Sequence, residues 1–379
     1  MEKNNKNLNV PNLRFPEFSG EWEKTSIGDC CSDLEYGMNA ASKNFDGVNK
    51  YIRITDIDEQ TADYKQDSLV SPDALLEDKY LVKDGDILFA RTGASTGKTY
   101  IYAPQDGKLY YAGFLIRANV NFGTNPKFVF YQTQTHRYKK WVSIMSMRSG
   151  QPGINSQEYA SYQFWKPTKE EQDKISDLMT LLDQRIQTQK KIIEKLETLI
   201  KGLCQKLFNF DEYSTYFLGD ICSITTGKLD ANAMVENGKY PFFTCAEEVF
   251  GIGEYAFDTE ALLISGNGAN LGYIHYYNGK FNAYQRTYVL DKFAIDINYV
   301  RLYLETFLKY RIEQEKNTGN TPYIVLGTLS KMKIKVPNTI TQQKISQSIA
   351  SLKEKLSIEK QSLKKYEEQK KYLLSNLFI

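Results

Sequence analysis

The chain has 379 residues, 41% apolar and 25% charged, with a net charge of only +2. That length and composition fit a soluble globular protein with two or three cores and exclude a chain that is basic throughout. The polar start MEKNNKNLNV, the absence of any run of 18 apolar residues and five cysteines without a C-x-x-C pair argue against a signal peptide, a membrane span, a zinc site and a disulfide framework, so a reduced cytoplasmic setting is expected.

Along the chain, short β-branched and aromatic runs read as strands. They are YIRIT (51–55), DILFA (86–90), KTYIY (98–102), ALLIS (261–265) and GYIHYY (272–277). NPKFVFYQTQTHRYKKWVSIM (125–145) reads as helical. Charge is unevenly spread. Residues 107–157, 51 in all, contain no acid but seven basic residues: Lys108, Arg117, Lys127, Arg137, Lys139, Lys140 and Arg148. Residues 316–353 are again free of acid, with six lysines. One-signed charge of this kind suits a surface facing a polyanion; a buried apolar segment is the blander explanation.

Two stretches imitate catalytic motifs. ILFARTGASTGKTYIY (87–102) resembles a phosphate-binding loop, but Gly93 and Gly97 are separated by three residues instead of four. The segment after Lys98 reads as a strand, whereas such a loop must open into a helix facing the phosphate. NTPY (320–323) nearly matches the pocket of amino-group DNA methyltransferases, with Thr321 at the second position. It aligns with Gly150–Gly153 in an internal repeat and reads better as a turn. His136 and His275 sit in no ligand or nucleophile pattern, and the acids at Asp73, Glu77 and Asp78 are too close together for a nuclease site. No catalytic residue and no metal site are expected.

The repeat organises the chain. Residues 164–208 align with 334–378 without a gap at an offset of 170, with 13 of 45 positions identical. Each copy reads as a helix of about 60 Å that begins after a proline, with Thr168 or Asn338 as N-cap. The first carries a heptad seam of Ile175, Met179, Leu182, Ile186, Ile193 and Leu196; the second carries Ile345, Ile349, Leu352, Leu356, Leu363 and Leu373. Gln189 and Glu359 interrupt the seams. Each helix needs a partner, and the other copy is the simplest one. Upstream, IGDCCSDLEYG (27–37) resembles LGDICSITTG (218–227), and GDILFARTG (85–93) resembles EALLISGNG (260–268). The expected fold class is therefore α/β (mixed α+β): two globular regions at 1–165 and 211–335, and two long antiparallel coiled-coil helices at 166–210 and 336–379, in a pseudo-twofold repeat.

PNLRFPEFSGEWEKTSIGD (11–29), the SGQPGIN turn (149–155) and the paired helix starts KPTKEEQDKI and VPNTITQQKI, in this order and duplicated, resemble the specificity subunit of a type I restriction–modification system. The resemblance implies two target-recognition domains, each reading half of a bipartite site in double-stranded DNA. The helices would set the spacing between the halves. Two methyltransferase subunits would dock, supplying S-adenosylmethionine chemistry on adenine, and a motor–nuclease subunit would use ATP and Mg²⁺; none of that chemistry, and no cofactor, belongs to this chain.

Base-edge reading calls for Arg, Lys, Asn and Gln. The first region offers Arg91, Thr92, Ser95, Thr96, Lys98, Arg148, Gln151 and Asn155. The second offers Asn267, Asn270, Gln285, Arg286, Asn317, Asn320 and Thr321. For each, a solvated or turn-capping role is the competing account. A coiled-coil scaffold without a DNA role explains the helices but not the acid-free stretches; a nucleotide-binding enzyme rests only on the imperfect motifs.

Overall fold

In the computed structural model, which describes residues 9–59, 61–147, 152–209, 211–315 and 323–379, the chain divides into two units. One is Met1–Gln189 with Ser362–Ile379, the other Lys190–Gln361. The division falls inside the long helices, not at the boundaries the sequence suggests, because each half-helix packs on its own globular region.

Unit 1 runs through β1 (Glu23–Ser26), α1 (Ile27–Cys30), β2 (Cys31–Tyr36), β3 (Ala41–Asn44), β4 (Lys50–Ile52), β5 (Val70–Asp73), β6 (Ile87–Ala90), β7 (Thr99–Ile101), β8 (Leu109–Tyr111) and β9 (Leu115–Val120). It continues with α2 (Pro126–Gln132), α3 (His136–Ser146), α4 (Ser156–Ala160) and β10 (Gln163–Lys166), and enters α5 (Lys169–Leu207). Its main sheet has the antiparallel order β2-β9-β6-β7. The unbroken apolar run of β6 follows from burial on both faces. Ile87 and Phe89 join the core under the helices, while Leu88 and Ala90 join the core on the other face. YIRIT does not stay extended: β4 ends at Ile52 and a 3₁₀ turn occupies Ile54–Asp56, where the Asp56 carboxylate accepts from the Arg53 amide at 2.9 Å. The helical stretch at 125–145 is two helices. Asn125 caps α2 and Thr135 caps α3, each side chain accepting from the first-turn amides.

Unit 2 takes over within α5 and runs through β11 (Ser214–Phe217), α6 (Leu218–Ile221), β12 (Ser223–Thr226), β13 (Tyr240–Phe243), β14 (Phe250–Ile252), β15 (Phe257–Ser265), β16 (Ile274–Ala283) and β17 (Thr287–Asp291). Then come α7 (Ile297–Gln314), α8 (Leu326–Ser330), β18 (Lys333–Val336) and α9 (Thr339–Asn376). Its sheet order is β12-β17-β15-β16-β13-β14, whose first four strands repeat the β2-β9-β6-β7 order. The alternation recurs: Leu262 and Ile264 face the helices, Ala261 and Leu263 the other core.

The long helices run antiparallel within each unit. In unit 1 Lys370 pairs with Asp183 at 2.6 Å and Arg185 Nε donates to the Tyr366 hydroxyl at 3.1 Å. In unit 2 Lys360 pairs with Glu197 at 2.7 Å. The seam residues Ile175, Met179, Leu182, Ile186, Ile193, Ile345, Ile349 and Leu373 are buried, and Leu196, Leu352, Leu356 and Leu363 are half-buried. Asn338 caps α9, its side chain accepting from the Thr341 amide at 2.9 Å.

Candidate nucleic-acid interface

Both units build the same frame at one end of the shared four strands. In unit 1 the β6–β7 hairpin carries loop Arg91–Gly97, closed by Gly97 N–H donating to Ala90 O at 2.9 Å. In unit 2 the β15–β16 hairpin carries loop Gly266–Gly272, closed by Gly272 N–H donating to Ser265 O at 2.8 Å. Seven residues match seven: RTGASTG on GNGANLG. Thr92 thus answers to Asn267 and Ser95 to Asn270. Gly97 and Gly272 both have left-handed φ, +88° and +81°, a conformation that favours glycine.

Main-chain bonds pin each loop from two sides. The turn before α4 reaches it through Ile154 N–H to Arg91 O at 2.9 Å; the matching residue Ile324 donates to Gly266 O at 2.8 Å. The neighbouring strand connection reaches it through Arg91 N–H to Phe114 O at 3.0 Å, and in unit 2 through Gly266 N–H to Arg286 O at 2.9 Å. Beside them Gly37 and Gly227 occupy one matching position, where a Cβ would collide with the carbonyls of Ala112 and Ala283.

The Arg91 guanidinium lies over the Tyr36 ring, 4.8 Å from its centroid, a cation–π contact. The Tyr36 hydroxyl accepts from the Ser156 amide at 3.2 Å. Burial pushes the Tyr36 phenol up, but Ser156 and the Arg91 charge outweigh it and hold it below its ordinary value. Lys98 lies 3.4 Å from the Glu59 carboxylate. Thr96 spends its hydroxyl on the Gly93 carbonyl at 2.8 Å. Asn155 caps α4 in a reciprocal capping box with Glu158, the turn-capping role that competes with base contact. In unit 2 Asn270 donates to Cys245 O at 3.3 Å, Asn267 is half-buried, and Gln285 and Arg286 are exposed. Arg148, Gln151, Asn317, Asn320 and Thr321 lie outside the described residues.

Sequence reasoning missed Tyr36 and Phe114. Phe114 is 59% exposed at the strand connection, yet in YYAGFLIR it reads as one more core residue. The acid-free stretch 107–157 is also not one surface. Arg117 faces Glu35 across the β2–β9 ladder and lies 3.8 Å from the buried Asp86, so its charge is answered inside the unit. Arg137, Lys139 and Lys140 do stand exposed on α3. Cys31 and Cys222 are buried, and burial pushes their thiols up to about 12. Among the described residues no group of His, Cys, Asp and Glu could hold a metal ion, and no helix is long and apolar enough to cross a membrane.

Residues 19–198 and 211–368 match the family described as type I restriction modification DNA specificity domain. The chain is 40% identical over 141 residues to the type I restriction enzyme EcoDI specificity subunit of Escherichia coli, a match that covers 37% of this chain and only 31% of that relative. It is 21% identical over 416 residues to the type I restriction enzyme MjaVIII specificity subunit of Methanocaldococcus jannaschii, covering 96% and 93% of the two chains. The crystal structure of a type I restriction–modification S subunit from M. genitalium superposes with a TM-score of 0.70 at 18% identity, over 98% of this chain and 99% of that one.

Proposed function

This chain belongs to the type I restriction–modification DNA specificity family, and from that premise we propose that it is the non-catalytic, sequence-reading subunit of such a complex. Each unit reads one half of a bipartite DNA site through its seven-residue loop and the adjoining strand connection. The observation that carries this is the duplicated frame: the same four-strand order, the same pinned loop, but different side chains on the loop. A backbone kept constant while its outward residues change suits a reader of two different half-sites. Base edges are read by hydrogen bonds and apolar contacts, while cations on phosphates position the protein without specifying sequence. Lys139 and Lys140 on α3 supply such cations in unit 1, whereas Arg137 donates to the Ile379 carbonyl at 2.9 Å.

On this reading the paired helices set the distance between the halves, and two methyltransferase subunits dock, one per half. S-adenosylmethionine belongs to those subunits, and ATP and Mg²⁺ to the restriction subunits, all in the cytoplasm. Methylome sequencing of the host with and without this chain tests the proposal. A modified bipartite motif that vanishes on deletion is expected; an unchanged methylome overturns it.

A further inference from the structure

The two frames differ most sharply at one cross-strand pair. Arg91 and Phe114 are joined by the 3.0 Å main-chain bond in unit 1, and Gly266 and Arg286 by the 2.9 Å bond in unit 2. Each pair holds one arginine, but on opposite members. Where unit 1 has Arg91, unit 2 has a glycine with no room for a side chain: a Cβ on Gly266 would lie 2.4 Å from the Arg286 carbonyl oxygen. Where unit 2 has the exposed Arg286, unit 1 presents Phe114, a large apolar side chain 59% exposed.

We propose that Phe114 is a specificity-determining residue, making apolar contact with the methyl group of a thymine next to the base read by Arg91. The inference rests on the DNA reading of the loops. A phenyl ring offers no hydrogen bond to a base edge, so among the groups in the major groove it discriminates only the thymine methyl. The main-chain bond sets Phe114 and Arg91 opposite each other on adjoining segments, and their side chains are assigned neighbouring positions of the half-site. Unit 2, with arginine in the same place, discriminates a hydrogen-bonding edge there instead.

The test uses the full chain co-purified with its methyltransferase partner, and a duplex library that first identifies the preferred site. Each thymine of one half-site in turn is replaced by deoxyuridine, which removes only the methyl. At one position the wild-type protein should bind about fourfold more weakly, the loss of one buried methyl. Phe114→Ala should show that loss with thymine and none further with deoxyuridine. Phe114→Arg should shift the preference at that position towards guanine and leave the other half-site unchanged. Thermal melts matching wild type confirm that both variants fold. Tolerance of deoxyuridine at every position by the wild-type protein, or equal sensitivity in Phe114→Ala, overturns the assignment. A wild-type complex that selects no sequence refutes the DNA reading itself and this inference with it.

Discussion

Gln172 Oε1 accepts the backbone N–H of Asn125 at 2.9 Å. The same amide donates from Nε2 to the Pro167 carbonyl at 2.9 Å, so one buried side chain ties the start of α5 to the cap of α2. Gln342 repeats both bonds, to the Asp296 amide at 3.3 Å and the Pro337 carbonyl at 2.8 Å, at the cap of α7. Replacing Gln172 by Leu strands two polar groups and should cost about 2–4 kcal/mol. Gln342→Leu should cost less, because its bond to the cap is longer. Urea unfolding monitored by circular dichroism checks both; no loss in either would mean water replaces the amide.

Gly97 and Gly272 close matching loops but not equally tightly. A methyl on Gly97 would lie 2.4 Å from Val142 Cγ1, whereas on Gly272 it would lie 2.9 Å from the flexible end of Ile312. Gly97→Ala is expected to destabilise by about 2–4 kcal/mol and Gly272→Ala by about 1–2 kcal/mol. Adding Val142→Ala should recover part of the first loss and leave the strain of the left-handed φ. Melting temperatures of the three variants decide it.

Arg91→Ala should weaken one half-site only, by about 1–3 kcal/mol, measured with each half scrambled separately. Tyr36→Phe keeps the ring beneath the guanidinium and should retain most of the discrimination; Tyr36→Ala should lose part of it. Equal loss on every DNA sequence would make Arg91 a phosphate contact.

The helices give the fourth prediction. Four residues added to α5 between Lys190 and Lys201, with a matching four in α9 between Leu352 and Lys364, lengthen the pair by about 6 Å. The preferred spacer should grow by about one to two base pairs, given roughly 3.4 Å per step. Selection from a library of spacer lengths measures it, and an unchanged optimum would remove the ruler role.

The helices are legible in the sequence because a heptad seam and a gapless offset are one-dimensional signals. The same holds for β6 and β15, whose apolar runs announce burial on both faces. What the sequence hides is pairing across distance. Tyr36 stands far from Arg91 along the chain, and only the β2–β9–β6 order brings them together. Arg117 reads like a phosphate contact because Glu35 and Asp86 lie outside its acid-free window, yet the ladder places Glu35 opposite it. The division of the chain inside α5 and α9 is hidden for the same reason: it depends on what each half-helix touches.

The pinning of loops 91–97 and 266–272 by main-chain bonds has an evolutionary consequence. Ile154, Phe114, Ala90 and their counterparts hold the loop through peptide groups that every residue but proline possesses. Exchanges at 92 and 95, or at 267, therefore leave the scaffold's anchors in place. Such a fold can drift to a new target by single codons, changing its vocabulary while its grammar stays put.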